Sequence, residues 1–328
     1  MSPSYSSGRF YAALFIVISA IPIAYIISLE RAVPSTHVFS YQSSGFFREC
    51  AKWDDVGQRF LVSFMDGGGG VGEIVPRDSD DVLEEVTLVK DVDLAGNASL
   101  GITIDRERNR LLVAVADLLG NQYSALAAYD LSTWRRIFLA ELSGHSKEKS
   151  FADDVAVDAQ GNAYVTDAKA SKIWKVDING KLVSTIKSPL FTPPGWYNNL
   201  VALIALNGIV YHPDGFLIVI HTFSGSLYKI DLTTNEVSVI DVSGGTLRFG
   251  DGLELLSPTK IVVAGSLLST KLVESSDGWR TASVTGWFSS GMLHRIVSAA
   301  TVKEGRVYLN HIVGFGPKKK HFLVEAVF

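Results

Sequence analysis

Beyond residue 40 the chain repeats itself, and this constrains its fold more than any other feature. Segments FADDVAVDAQGNAYVTDAKASKIWKVDINGK (151–181) and ALNGIVYHPDGFLIVIHTFSGSLYKIDLTTNE (205–236) follow one plan. Each has a polar entrance, an alternating strand, a turn ending in glycine, an apolar strand, a second turn and a closing [Ile/Leu]-x-Lys-[Val/Ile]-Asp. Residues 99–131 share the plan, and weaker copies begin at Glu49 (ECAKWDDVGQRFLVSF), Asp251 (DGLELLSPTKIVVAG) and Val297 (VSAATVKEGRVYLN). Short strands at even spacing, with turn residues between them, are the mark of radial repetition. Six copies predict an all-β, six-bladed β-propeller; a sandwich or a pair of β domains is the alternative. The Trp-Asp and Gly-Gly signatures of WD40 and kelch blades are absent.

Composition removes other routes to stability. One cysteine, Cys50, excludes an intramolecular disulfide and a thiolate zinc cluster. With 47% hydrophobic and 20% charged residues the chain is not disordered. A net charge of −4 argues against a nucleic-acid partner, and the basic run Lys318-Lys319-Lys320 reads as a solvated turn.

Phe10 to Leu29 carries no charge over twenty residues, enough for a helix to cross a bilayer. We expect residues 1–31 to form an N-terminal transmembrane or signal-anchor helix, a cleaved signal peptide being the alternative, and residues 32–328 to form the propeller. The triplet Asn97-Ala98-Ser99 is a glycosylation sequon. These features imply attachment to a membrane through the N-terminal helix, or a place in the secretory pathway (endoplasmic reticulum lumen, vacuole or extracellular).

Aligning the copies on their first residue gives Glu49, Leu100, Asp153, Asn207, Asp251 and Val297. If this position opens the innermost strand of each blade, its side chains share one height on the central channel. Glu49, Asp153, Asn207 and Asp251 then place four oxygen donors around the axis. Three carboxylates so crowded repel unless a cation neutralises them. Oxygen donors without sulfur or imidazole suit a hard ion: Ca2+ first, Mg2+ or Mn2+ as alternatives. The competing reading is that each residue only caps a turn.

At this point the chain resembles the regucalcin/gluconolactonase superfamily of six-bladed propellers, which also holds paraoxonase and strictosidine-synthase-like proteins. Glu49 with Trp53 resembles the Glu-Gly-Pro-x-Trp start of the first blade. ADDVAVDAQGNAYVTD (152–167) resembles an Asn-Asp-x-x-Val-Asp-x-x-Gly-x-x-Tyr-x-Thr-Asp blade. LNGI (206–209) and GDGL (250–253) are similar to later blade entrances. The resemblance implies a divalent ion, usually calcium, held by Glu49, Asp153, Asn207 and Asp251, with Asp153 where the family has Asn. It implies hydrolysis of lactones, esters or phosphotriesters, with Asp251 as the base that activates water. Leu100 stands where paraoxonase-like members carry histidine, and Phe151 where gluconolactonase-like members carry arginine. An apolar lactone or ester therefore fits better as the small-molecule substrate than a sugar lactone. Two alternatives are a non-catalytic, metal-stabilised binding propeller and a strictosidine-synthase-like condensing enzyme.

Three further features carry weaker signals. His145, His221 and His311 read as surface or turn residues. Residues 191–199 read as a lid or a rigid surface loop. Gly67 to Gly70 lack the lysine of a phosphate loop and read as a flexible hairpin tip.

Overall fold

The computed structural model describes residues 36–76, 82–144, 148–192, 205–265, 269–290 and 296–328, together with scattered helical positions between 11 and 24. Most of the expected N-terminal anchor lies outside the described residues, as do His145 and the part of the 191–199 segment beyond Thr192. Among the described residues no helix is long and apolar enough to cross a membrane.

The repeats fold as antiparallel four-stranded meanders. The first comprises β2 (Ala51–Asp54), β3 (Arg59–Ser63), β4 (Gly70–Ile74) and β6 (Val86–Lys90). The second comprises β7 (Ala98–Asp105), β8 (Arg110–Ala116), β9 (Ser124–Asp130) and β10 (Arg136–Glu141). The third comprises β11 (Ala152–Val157), β12 (Ala163–Asp167), β13 (Lys172–Val176) and β14 (Leu182–Lys187). Next come β15 (Leu206–His212), β16 (Phe216–His221), β17 (Ser226–Asp231) and β18 (Val237–Ser243), then β19 (Leu253–Ser257), β20 (Lys260–Val263), β21 (Thr270–Glu274) and β22 (Thr281–Phe288). These two meanders join edge to edge where β18 pairs with β22 in parallel. The last meander contains β23 (Val297–Lys303), β24 (Arg306–His311) and β25 (Lys320–Ala326). Its fourth strand comes from the other end of the chain: β1 (Val38–Gln42) pairs antiparallel with β25, Val38 facing Val324 and Gln42 facing Lys320. The short strand β5 (Leu83–Glu84) pairs in parallel with the outer side of β1.

Burial follows the sequence pattern. The second strand of a meander is flanked on both edges and both faces, and RLLVAVA of β8 is buried throughout. The outermost strand faces solvent, and only Ile186 of LVSTIK in β14 is buried. The apolar core is divided among the spaces between neighbouring meanders. Leu112, Leu126, Val165 and Trp174 fill the space between the second and third, and Ile173, Leu217, Val219 and Tyr228 the next. Tyr41, Phe60, Tyr308 and Leu323 seal the first meander against the last.

The innermost strands β2, β7, β11, β15, β19 and β23 each contact the next, and β23 returns to β2, so they close a ring around a central channel. Arg48 locks this closure: it is buried, and it donates to Glu85 at 2.5 Å and to Asp66 at 2.7 Å. The register of β1 also brings the chain into the body from the end of the channel opposite Val297.

Candidate functional site

Five of the six aligned positions fall where the innermost strands enter the ring, and the strands are irregular there; on β23 Val297 faces His311 as Leu206 faces His221 on β15, so Ser298, not Val297, takes the sixth place. On β11 Ala152 faces Asp167 and Val155 faces Val165, so Asp153 and Asp154 together oppose one residue. The same shift holds Asn207 and Gly208 on β15, and Leu100 and Gly101 on β7. A β-bulge adds a residue and re-aims side chains. Here it recurs, and it places the first residue of each pair at one end of the channel.

The second residue of each pair meets the next meander. A Cβ on Gly208 would sit 2.4 Å from the Asp251 carbonyl oxygen, and one on Gly252 2.7 Å from that of Ser298. Glycine follows the ring residue in these meanders because the neighbouring backbone leaves no room for more. In the third meander that place is taken by Asp154, whose Oδ1 accepts from Val155 N at 2.8 Å and whose Oδ2 accepts from Ile209 N at 3.1 Å.

Glu49, Asp153, Asn207 and Asp251 therefore come together, and the carboxyls feel one another. Burial, then Asp251 and Asp153, pushes Glu49 well above the usual carboxylate range. Burial, then Asp251, does the same to Asp153, with Asp154 and Asp167 adding to it. Burial pushes Asp251 up to about 7 although the Asn207 side chain donates to it. Asp154 is pushed up to about 6 by burial, against the pull of Lys52. Asp153 and Asn207 are buried, and Glu49 and Asp251 are half-buried. Glu49 Oε2 and Asp153 Oδ2 are buried without a hydrogen-bond partner. A buried acceptor left unmatched is costly, and such an atom marks a place for a ligand, an ion or a water. Hard-cation chemistry thus fits this donor set. The three carboxyls are not drawn into a tight cluster, however; no His, Cys, Asp and Glu group of three or more among the described residues forms a ready metal centre.

Several contributors escaped the sequence reading. Asn310 donates through Nδ2 to the carbonyl oxygens of Arg48 (2.7 Å) and Glu49 (2.9 Å), fixing the backbone that carries Glu49. One rung deeper, Lys52 donates to Glu254 Oε2 at 2.5 Å and to the Ala300 carbonyl at 3.2 Å. Burial alone would lower the Lys52 pKa, and Glu254 more than offsets it. Lys52, Glu254, Thr103, Ala156 and Val210, with Asp154, line a channel cavity of about 190 Å³. The signal was the ring spacing carried three residues on, at Lys52, Thr103, Ala156, Val210 and Glu254.

Three expectations change. His221 and His311 are fully buried strand-end residues, because each is the last residue of a second strand flanked on both edges. The Gly67–Gly70 turn is held rather than free: Gly96 N donates to Gly67 O at 2.8 Å and Gly69 N to Asn97 O at 3.2 Å. Asn97 itself is half-buried at the entrance to β7.

No family model matches the sequence, and no curated protein matches it. Solved structures do resemble the fold. The Malassezia sympodialis allergen Mala s 1 aligns over 90% of this chain and 97% of its own at 16% identity, with a TM-score of 0.71. A streptogramin B lyase aligns over 89% and 98% at 12% identity, with a TM-score of 0.57. A catalytically inactive variant of virginiamycin B lyase from Staphylococcus aureus, with quinupristin, aligns over 87% and 82% at 12% identity, with a TM-score of 0.51. The fold is a β-propeller. Identities this low speak to the fold alone.

Proposed function

We propose that the six meanders are the blades of a regucalcin/gluconolactonase-type propeller whose axial residues hold a divalent cation, calcium first, and that it hydrolyses lactones or esters. The observation that carries this reading is the meeting of Glu49, Asp153, Asn207 and Asp251 from four meanders, with Glu49 Oε2 and Asp153 Oδ2 buried and unmatched. Magnesium and manganese are the alternative ions.

A bound divalent cation supplies Lewis-acid polarisation of a carbonyl or phosphoryl oxygen. The chain's own groups do the rest. Asp251, oriented by the Asn207 side chain, takes a proton from an attacking water. Its pKa near neutrality is the range in which a base both accepts and releases a proton readily. Leu100 contributes no charge to the ring, which suits an apolar acyl or lactone chain. The N-terminal apolar segment is proposed to tether the body to a membrane or direct it to the secretory pathway.

The test follows proton release by the full chain on lactones and aryl esters, with calcium and again with excess chelator. Calcium-dependent turnover that Asp251→Ala lowers by about 100-fold or more supports the reading. A second reading, a cation-stabilised binding propeller, is favoured by Leu100, which stands where paraoxonase-like members carry histidine. Calcium-dependent melting without turnover across the panel would select it.

A further inference from the structure

Three segments lie side by side at the ring end of the last meander. Ile312 N donates to the Ile296 carbonyl at 2.9 Å, Arg48 N to the Ile312 carbonyl at 2.9 Å, and Gly314 N to the Phe46 carbonyl at 2.8 Å. Phe47 and Val313 form an antiparallel bridge between two of these segments. The chain then turns back on itself: Phe315 and Lys320 bridge, and Lys319 N donates to the Gly316 carbonyl at 3.0 Å. The Lys319 ammonium donates to the Ser44 carbonyl, and His321 Nε2 lies 3.1 Å from the Gly45 carbonyl.

On this fixed backbone large apolar side chains stand in water. Ile296 is 59% exposed, Phe46 48%, Phe47 43% and Phe315 39%, and Ile312 and Val313 between them are half-buried. Backbone contacts this close make them one patch. Keeping such a patch hydrated is unfavourable, and an apolar patch with a polar rim marks an interaction surface.

The rim identifies the partner. Lys318 is exposed in the turn, and the Lys319 ammonium lies 5.0 Å from the centre of the Phe46 ring. No acid stands between Arg31 and Glu49, between Asp277 and Glu304, or between Asn310 and Glu325, so all three segments are free of carboxylates around the patch. Asp66 and Glu85 reach the same loop, and Arg48 pairs with both. A chain of net charge −4 thus gathers lysines and aromatic rings at one place. Rings at headgroup level with ammonium groups against lipid anions are what an anionic bilayer surface accepts.

We infer that Phe46, Phe47, Ile296, Phe315 and the Lys318–Lys319 turn dock the ring end of the body on an anionic lipid surface. The chain enters β1 from the opposite end, so this contact is separate from the N-terminal segment. Glu49 follows Phe46 by three residues, so docking brings that side of the channel entrance next to the lipid, whatever the axial ring binds.

The test asks which end of the full chain touches lipid. Cys50 is buried, so one introduced thiol takes a fluorescent label. Pro317→Cys marks the patch, and Val56→Cys marks the exposed turn between β2 and β3 at the opposite end. The vesicles carry a quencher on the lipid and are either phosphatidylcholine alone or phosphatidylcholine with phosphatidylserine, about 7:3. The label at 317 is quenched in the anionic vesicles and recovers in about 0.5 M salt, while the label at 56 stays bright. Lys318→Glu, a change of two charges on an exposed side chain, lowers the equilibrium constant for contact roughly 30-fold, and Phe46→Ser lowers it about fivefold. Both variants melt with the parent when no vesicles are present. Quenching at 56 as deep as at 317, or deeper, overturns the inference. A label at 317 that stays bright in anionic vesicles also overturns it and assigns the patch to a protein partner. Equal quenching at 317 in neutral and anionic vesicles, unmoved by Lys318→Glu, overturns it as well, because the lysines then take no part.

Discussion

Asp154 Oδ2 accepts the backbone N–H of Ile209 across the boundary between two meanders, while its Oδ1 accepts from Val155 N in its own strand. A side chain thus does the work of a backbone contact at the seam where other meanders use glycine. In Asp154→Ala, Ile209 N–H is left buried without an acceptor, a loss of about 1–3 kcal/mol. Urea unfolding of the chelated chain should show that loss. An unchanged midpoint would mean the seam does not depend on this carboxylate.

Asp153 is the neighbour with the opposite prognosis. Its Oδ2 has no partner, and Asp251, Asp154 and Asp167 all repel its charge. In chelator, Asp153→Ala should therefore melt at the same temperature as the parent or higher, while the rise in melting temperature on adding calcium shrinks. A binding-only stabilisation of about 2.7 kcal/mol at a hundredfold excess over Kd is the scale of the parent's gain. A full calcium response in the variant would remove Asp153 from the donor set.

Gly208 offers a steric test. Its Cβ would lie 2.4 Å from Asp251 O and 2.6 Å from Leu253 N, atoms of a backbone that cannot step aside. Gly208→Ala should cost about 1–3 kcal/mol and weaken cation binding in the same variant, because the displaced backbone carries Asp251. Gly215 is the control. Its φ is 87° and a Cβ there meets nothing within 4 Å, so Gly215→Ala carries backbone strain alone, about 1 kcal/mol, with cation binding intact. Equal binding losses in the two variants would show that the seam at Gly208 is not what holds Asp251.

These residues mark how far the sequence can be read. The repeat made the ring legible because blade-to-blade equivalence is a property of spacing, and Glu49, Asp153, Asn207 and Asp251 do share one end of the channel. Gly208 and Gly252 were visible as letters, but their reason, a neighbour's carbonyl about 45 residues on in sequence, lies in how meanders nest. Asp154 was legible as an acid and not as an acceptor for Ile209, because a hydrogen bond between two bulged strands has no sequence period. His221 was misjudged for a related cause. A histidine at a strand end is exposed when the strand is an edge, and β16 is flanked on both sides.

Lys52 and Glu254 form a pair across the channel, each side chain less than a fifth exposed. Removing one partner from so enclosed a pair strands a charge, whereas removing both does not. Lys52→Met should cost about 3 kcal/mol, and the double variant Lys52→Met/Glu254→Leu should recover most of it. The coupling is read from a double-mutant cycle of urea midpoints, and additive losses would show that the two groups do not act as a pair.

The ring also sets a pH dependence whose sign can be worked out. Burial raises Asp251 to about 7, against about 4 for an unfolded aspartate. In that interval the folded state holds a proton that the unfolded state has lost. The Asp251 contribution to stability is therefore fully present below about 4 and is lost as pH rises to about 7. Asp154, raised to about 6, acts in the same sense. His221 and His321 act oppositely, since burial lowers both and folding excludes their protons. The difference between the parent and Asp251→Asn isolates the carboxylate from this background. In chelator, the parent's stability relative to Asp251→Asn should fall as pH rises from about 4 to about 7. With calcium present the trend should reverse, because the cation takes the deprotonated form. A pH-independent difference under both conditions would mean that Asp251 titrates as an ordinary surface acid and is not part of a crowded, cation-ready ring.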